Sequence, residues 1–214
     1  DWSPTLEAWI LKQPANQMAH LRGFVQTYMG ESNPQFPGHL LDYVNRNLAP
    51  VMALSRVGLT ASLGNLFKGL TEGKGCIDIG TDTALRMERI FVFCLAWTVC
   101  GCLDVADRHK FDEWLRGICK TEGVMPTCGP EETIYEYFVT DKGEWKVWTP
   151  PVWHYPQTET LDFSNLLVPT MDSTRASYNI FHMHKQKKAV CMVGGEGTAK
   201  TSTALMFFSQ ELDP

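Results

Sequence analysis

Apolar residues recur at helical spacing through roughly the first 120 positions, and the period then changes. Over 3–11 the spacing predicts a helix in which Leu6, Trp9 and Ile10 share one face, with Ser3 as its cap and Pro4 at the first helical position. Further helices are expected over 16–29 and 39–47, separated by a turn-rich stretch at 31–38. Pro50 is read as opening a fourth helix to about residue 70, along which Leu54, Val57, Leu63, Leu66 and Leu70 recur. A glycine-rich loop covers 71–80, and Thr81 or Asp82 is the expected cap of the next helix. That helix is amphipathic at Leu85 and Ile90 and then apolar all round, which implies burial on most sides. Residues 107–119 form another, with Phe111, Trp114, Leu115 and Ile118 inward, and 123–130 break it.

Beyond residue 130 the pattern alternates. Residues 134–139 and 144–148 read as strands, and Thr140-Asp141-Lys142-Gly143 is a tight connection, so a β-hairpin is expected. Pro150, Pro151 and Pro156 make 149–160 an extended linker. Organisation restarts at 161, with a helix over 172–184, a short apolar strand at 188–193, a glycine-rich loop and a last helix over 202–212. The expected fold is α+β and mostly helical. Residues 1–160 form a helical subdomain with its hairpin, and 161–214 form the first strand, loop and helix of a second, α/β subdomain.

Composition narrows the class. A hydrophobic content of 44% with seven Trp and eleven Phe belongs to a chain that packs a core. The longest apolar stretch, 90–103, is shorter than the ~20 residues a bilayer requires, so no membrane partner is expected. No basic-then-apolar leader precedes Trp2, so no targeting signal is read. A net charge of -5 argues against nucleic acid as a partner. Seven cysteines without a CxxC pair read as small buried hydrophobes of a reducing compartment, not as a zinc site.

The chemistry concentrates in Gly194-Gly195-Glu196-Gly197-Thr198-Ala199-Lys200-Thr201. A strand before and a helix after such a run make a phosphate-cradling loop, in which backbone N–H groups and a helix N-terminus face the anion. Lys200 is the residue to reach the β- and γ-phosphates, and the Thr201 hydroxyl is the one to ligate Mg²⁺. Glycine ordinarily precedes the lysine. Ala199 stands there instead, which is tolerable if its φ is negative. Hydrolysis also needs an acidic metal ligand and a group to orient water, normally on later strands of the same sheet. The sequence is therefore expected to be a piece of a larger protein, in which isolated 161–214 would expose Val190 and Val193.

Other candidates are weaker. His182 and His184 diverge on a helix, and Lys185, Lys187 and Lys188 complement that helix's C-terminal end. Gly101-Cys102-Leu103-Asp104 imitates an apolar strand ending in a metal-binding acid, but it ends a helical run ahead of the loop and is rejected. Cys100 and Cys102 read as core packing, and Trp145, Trp148 and Trp153 as aromatics that hold a hairpin.

Four tracts, in order, resemble dynein heavy chains, most closely those of axonemal outer arms. Residues 197–201, with alanine before the lysine, are similar to the phosphate loop of the third AAA+ module of those motors. Leu166-Leu167-Val168-Pro169-Thr170-Met171-Asp172-Ser173-Thr174-Arg175 resembles the segment that opens that module, which implies that Val168 and Pro169 lie beside adenine. Phe91-Val92-Phe93-Cys94-Leu95-Ala96-Trp97 is similar to a helix in the lid of the second module, and residues 135–145 to the hairpin after it. The resemblance implies an AAA+ lid followed by the start of the next module, in a motor that hydrolyses ATP on microtubules in the cytoplasm, the cytoskeleton and the cilium axoneme. It implies ATP or ADP with Mg²⁺ at a regulatory site, although this chain alone is not expected to hydrolyse ATP. The implied partners are neighbouring AAA+ modules of the same heavy chain and, through the complete protein, microtubules and dynein intermediate and light chains. By the same analogy Arg86 or Arg89 would approach a phosphate of the second module, against the plainer reading of a solvated arginine. The alternative function is a non-catalytic helical interaction scaffold with a vestigial, empty loop. A stand-alone kinase-like enzyme is set aside because no catalytic acid follows the loop.

Overall fold

Helices dominate because most apolar positions fall at helical spacing. The computed structural model describes residues 2–30, 40–53, 55–73, 75–80, 83–155 and 166–211, in two units, Asp1–Lys146 and Val147–Pro214. The expected loop at 31–38, the caps Thr81 and Asp82, and the linker residues 156–160 lie outside the described residues.

The first unit begins with α1 (Ser3–Ile10), α2 (Ala15–Met29) and α3 (Leu40–Asn47). Ser3 lies inside α1 and does not cap it; Trp2 holds the cap position. The fourth helix, α4 (Arg56–Thr71), starts later than expected. The Ala49 amide donates to Asp107 at 2.6 Å and the Val51 amide to the Cys102 carbonyl at 2.9 Å, so the residues around Pro50 are committed elsewhere. The cap is Ser55, whose hydroxyl accepts from the Gly58 amide. Trp9 of α1 lies edge-on to Phe67 of α4. A Cβ on Gly64 would sit 3.0 Å from that indole, so glycine there sets how closely the two helices meet.

The centre of the unit is α5 (Thr83–Cys94), continued by a π turn at Leu95–Val99. Residues 90–96 are fully buried, as an all-apolar helix must be. Phe91 meets Phe24 and Tyr28 of α2. The Tyr28 hydroxyl donates to the buried Glu88 carboxylate at 2.6 Å. Next comes α6 (Val105–Ile118), capped by Asp104, which accepts from the Asp107 amide at 2.9 Å. The acid that imitates a metal ligand is thus a helix cap.

The expected first strand is shorter than its alternation suggested. Residues 134–136 form a 3₁₀ turn because Thr133 and Glu136 make a reciprocal capping box, and the Ile134 amide donates to Asp112 at 2.7 Å. The hairpin proper is β1 (Tyr137–Val139) with β2 (Trp145–Val147). Trp145 does not pair across it; its indole donates to the Val124 carbonyl at 2.6 Å.

In the second unit α7 (Met171–Lys185) packs against α8 (Lys200–Glu211). Thr170 caps α7 through a box with Ser173. Trp148 stands edge-on to Tyr178, and His184 lies against Phe207. The apolar run 188–193 belongs to no ladder, since the hairpin is the only sheet among the described residues. A strand exists only by its partners' hydrogen bonds. Val190 and Val193 are accordingly 44% and 45% exposed. Among the described residues no helix is long and apolar enough to cross a membrane. All seven cysteines are free thiols, with Cys94 and Cys100 fully buried.

Candidate functional site

The glycine-rich run joins residues 188–193 to α8, and residues 194–199 are all exposed. Its backbone has a definite signature. Gly197 has φ +73 and Ala199 φ +55, while Thr198 between them and helical Lys200 are not in the positive range. Such alternation in the sign of φ favours turning successive backbone N–H groups toward one side, a concavity that suits anions. The first amides of α8 come directly after, with the positive end of the helix dipole. The condition under which alanine is easily tolerated at 199, a negative φ, is therefore not met: φ there is +55.

Lys200 completes the site. Its ammonium donates to the Gly195 carbonyl at 2.6 Å, to the Gly194 carbonyl at 3.0 Å and to the Thr198 hydroxyl at 3.2 Å. The Thr198 hydroxyl donates in turn to the Gly195 carbonyl at 2.9 Å. The loop is thus closed around a fixed positive charge.

The glycines have separate reasons. A Cβ on Gly194 would come within 2.8 Å of Thr198 Oγ1, and Gly197 needs its positive φ. Gly195 has neither constraint, and a Cβ there would point into open space. The chain's own packing gives no reason for glycine at 195; room for a ligand does. The fit to a phosphate chain is therefore good. Glu196 and Thr201 are exposed, the latter in the first turn of α8.

Val168 and Pro169 part company. Pro169 lines a cavity of about 230 Å³ in the second unit, with Pro151, Tyr178, Phe181, Met206 and Phe207 among its walls. Val168 is 48% exposed and does not line it, and neither does any residue of 194–201. His182 is buried against Tyr178 and Phe181, not solvated. No cluster of metal-binding side chains occurs among the described residues.

Arg86 and Arg89 in the first unit are tied to backbone. Arg86 donates to the Asp78 carbonyl at 3.0 Å, and its stem lies over Gly143. Arg89 donates to the Gly123 carbonyl at 2.8 Å and the Gly143 carbonyl at 2.7 Å. Neither is the solvated arginine expected; both hold loops.

Sequence reasoning missed the left-handed Ala199 and the Arg89 tie. The first carried a signal, because glycine's usual place before the lysine marks a position that favours positive φ. The second carried none, since its acceptors are carbonyls.

Comparison with known proteins matches these units. Residues 34–150 match the dynein heavy chain AAA lid domain, and residues 155–214 match the P-loop containing dynein motor region, a nucleotide-binding element. The gamma chain of the flagellar outer arm dynein of Chlamydomonas reinhardtii is 30% identical over 98% of this chain. Dynein axonemal heavy chain 8 of Homo sapiens is 31% identical over 94%, and dynein axonemal heavy chain 2 of Homo sapiens is 28% identical over 95%. The chain spans about 4% of the length of each of these relatives. With the lid alone accounting for more than half of its residues, the chain belongs to the dynein heavy chain family.

Proposed function

We propose that this chain is part of the AAA+ ring of an axonemal dynein heavy chain, an ATP-driven microtubule motor of cilia and flagella, and that its phosphate loop is a regulatory nucleotide site. Residues 1–160 supply the lid of the second module and 161–214 open the third. The observation that carries the reading is the alternating backbone at 197–200 closed around the Lys200 ammonium, within a matched P-loop motor region. Gly194, Gly195, Glu196, Gly197, Thr198 and Ala199 present backbone to the phosphates of ATP or ADP, and Lys200 supplies the positive charge. Thr201 offers its hydroxyl to Mg²⁺, and Val168 and Pro169 lie toward the base. The bound metal supplies charge neutralisation along the phosphates.

The partners belong to the same reading: neighbouring AAA+ modules of one heavy chain and, through the complete protein, microtubules with intermediate and light chains. Cytoplasm, cytoskeleton and the cilium axoneme are its location. Regulation means that nucleotide here changes how adjacent modules pack, a coupling of about 1–3 kcal/mol.

The test is Lys200→Ala in the complete heavy chain. One nucleotide equivalent is lost per heavy chain, and microtubule gliding slows. Retained nucleotide with normal gliding would overturn the reading, and a wild-type site that never holds nucleotide would make the chain a scaffold.

A further inference from the structure

The four residues that shape the anion-facing concavity are not equally suited to it. Gly197 adopts its φ of +73 without a steric penalty, whereas Ala199 is held at φ +55 with a Cβ. Only one other described non-glycine residue has positive φ, Lys187. It follows the C-cap of α7, where the left-handed turn lets its own amide reach the His184 carbonyl at 2.7 Å and the Lys188 amide the Met183 carbonyl at 3.1 Å. Ala199 precedes a helix instead. At the comparable positions before α4, α6 and α7, Ser55, Asp104 and Thr170 are extended with negative φ. A left-handed residue before α8 is thus not what starting a helix requires. It is what turning the amides of 198–200 to one side requires.

Resting on the nucleotide-site reading, we propose that Ala199 is a positioning residue that weakens the loop's grip. Its methyl group penalises the backbone state on which the inward-facing amides depend, so nucleotide leaves this site faster than it would leave the same loop with glycine. In a loop freed of the anion, Ala199 recovers that penalty by relaxing to negative φ. Two effects compete in the comparison with glycine. The left-handed state disfavours an L-residue by a factor of roughly five to thirty. Glycine returns part of that through its greater freedom in the open loop, a factor of about two to five. The strain is the larger effect, and the net difference is about fourfold.

The experiment uses the complete heavy chain loaded with methylanthraniloyl-ADP and Mg²⁺. Release is monitored by fluorescence, and the signal of this site is defined as the part that Lys200→Ala removes. Ala199→Gly is expected to slow that phase about fourfold. Ala199→Val, whose branched side chain tolerates positive φ less well, is expected to speed it. If Lys200→Ala removes a phase that Ala199→Gly leaves unchanged or accelerates, the role of Ala199 is overturned and the site stands. If Lys200→Ala removes nothing, the nucleotide-site reading fails, and this proposal with it.

Discussion

Arg89 donates to the carbonyl of Gly143, 54 residues further along, at 2.7 Å. The same guanidinium holds the Gly123 carbonyl, so one side chain of α5 ties the hairpin turn to the loop after α6. The turn's own bonds, Gly143 amide to Thr140 carbonyl and Thr140 amide to Glu144 carbonyl, rest on that anchorage. Arg89→Met is expected to lower hydrogen-exchange protection at Thr140 and Gly143 by about tenfold, equivalent to losing one charge-assisted bond, while α1 and α4 keep theirs. Equal loss across the whole unit would show that Arg89 supports the core at large.

Asp104 imitates a metal-binding acid in the sequence and caps α6 in the fold. Asp104→Ala is expected to lower stability to urea by about 1 kcal/mol. Nucleotide bound at 194–201 should not change. A drop in bound nucleotide at full folding would restore the acid as a functional candidate.

Tyr137 and Glu132 form a pair whose effect on stability has two edges. The phenol donates to the carboxylate at 2.6 Å, and this acceptor pushes the Tyr137 pKa from 10.0 up to about 12. A pKa raised by folding contributes stability that is present below pH 10 and disappears as pH rises through about 12. On the acid side, the Tyr137 hydroxyl and then the Gly129 amide lower the pKa of Glu132. That contribution is present above the ordinary carboxylate range and vanishes as pH falls through the lowered value. Tyr137→Phe should remove the alkaline limb of the stability profile and weaken the acid limb, and Glu132→Gln should flatten both. An unaltered alkaline limb in both variants would mean that the bond does not persist in solution.

Gly195 and Gly197 should respond to alanine in different ways. Gly195→Ala is compatible with the loop's own packing, since its Cβ meets nothing, yet it should weaken nucleotide binding several-fold by occupying ligand space. Gly197→Ala strains the loop with or without a ligand, by about 1 kcal/mol. Calorimetry on complete heavy chains carrying each change would separate the two. Gly195→Ala with unaltered affinity would remove the argument from open space.

Much of the fold was readable from one sequence because the helices are long and periodic. The α2 and α7 boundaries fall within a residue of expectation, since their apolar faces, and for α7 the Thr170 cap, agree. The start of α4 was not readable. Pro50 suits a helix start, and only the fold reveals that neighbouring amides bond to Asp107 and Cys102. The capping box at Thr133 and Glu136 was visible in principle, but the alternation of aromatics concealed it. The phosphate loop was legible as a motif, because its residue types are set by its chemistry. The sign of φ at Ala199 and the bonds of Arg89 depend on backbone placement, which residue types alone do not encode.

The π turn at Leu95–Val99 gives the central helix slack in its residue count. Such a turn holds one residue more than a regular α-helical turn. Deleting a single residue there would leave a continuous, still apolar helix, so local propensity would not object. The wide turn would become an ordinary one, and the segments on either side would keep nearly the same angular relation. Phe91 would keep its place beside Phe24 and Tyr28, and Arg86 and Arg89 would stay on the hairpin turn. These five positions therefore carry one residue the helix can spare, whereas a deletion within Thr83–Cys94 would rotate every side chain ahead of it by about 100°.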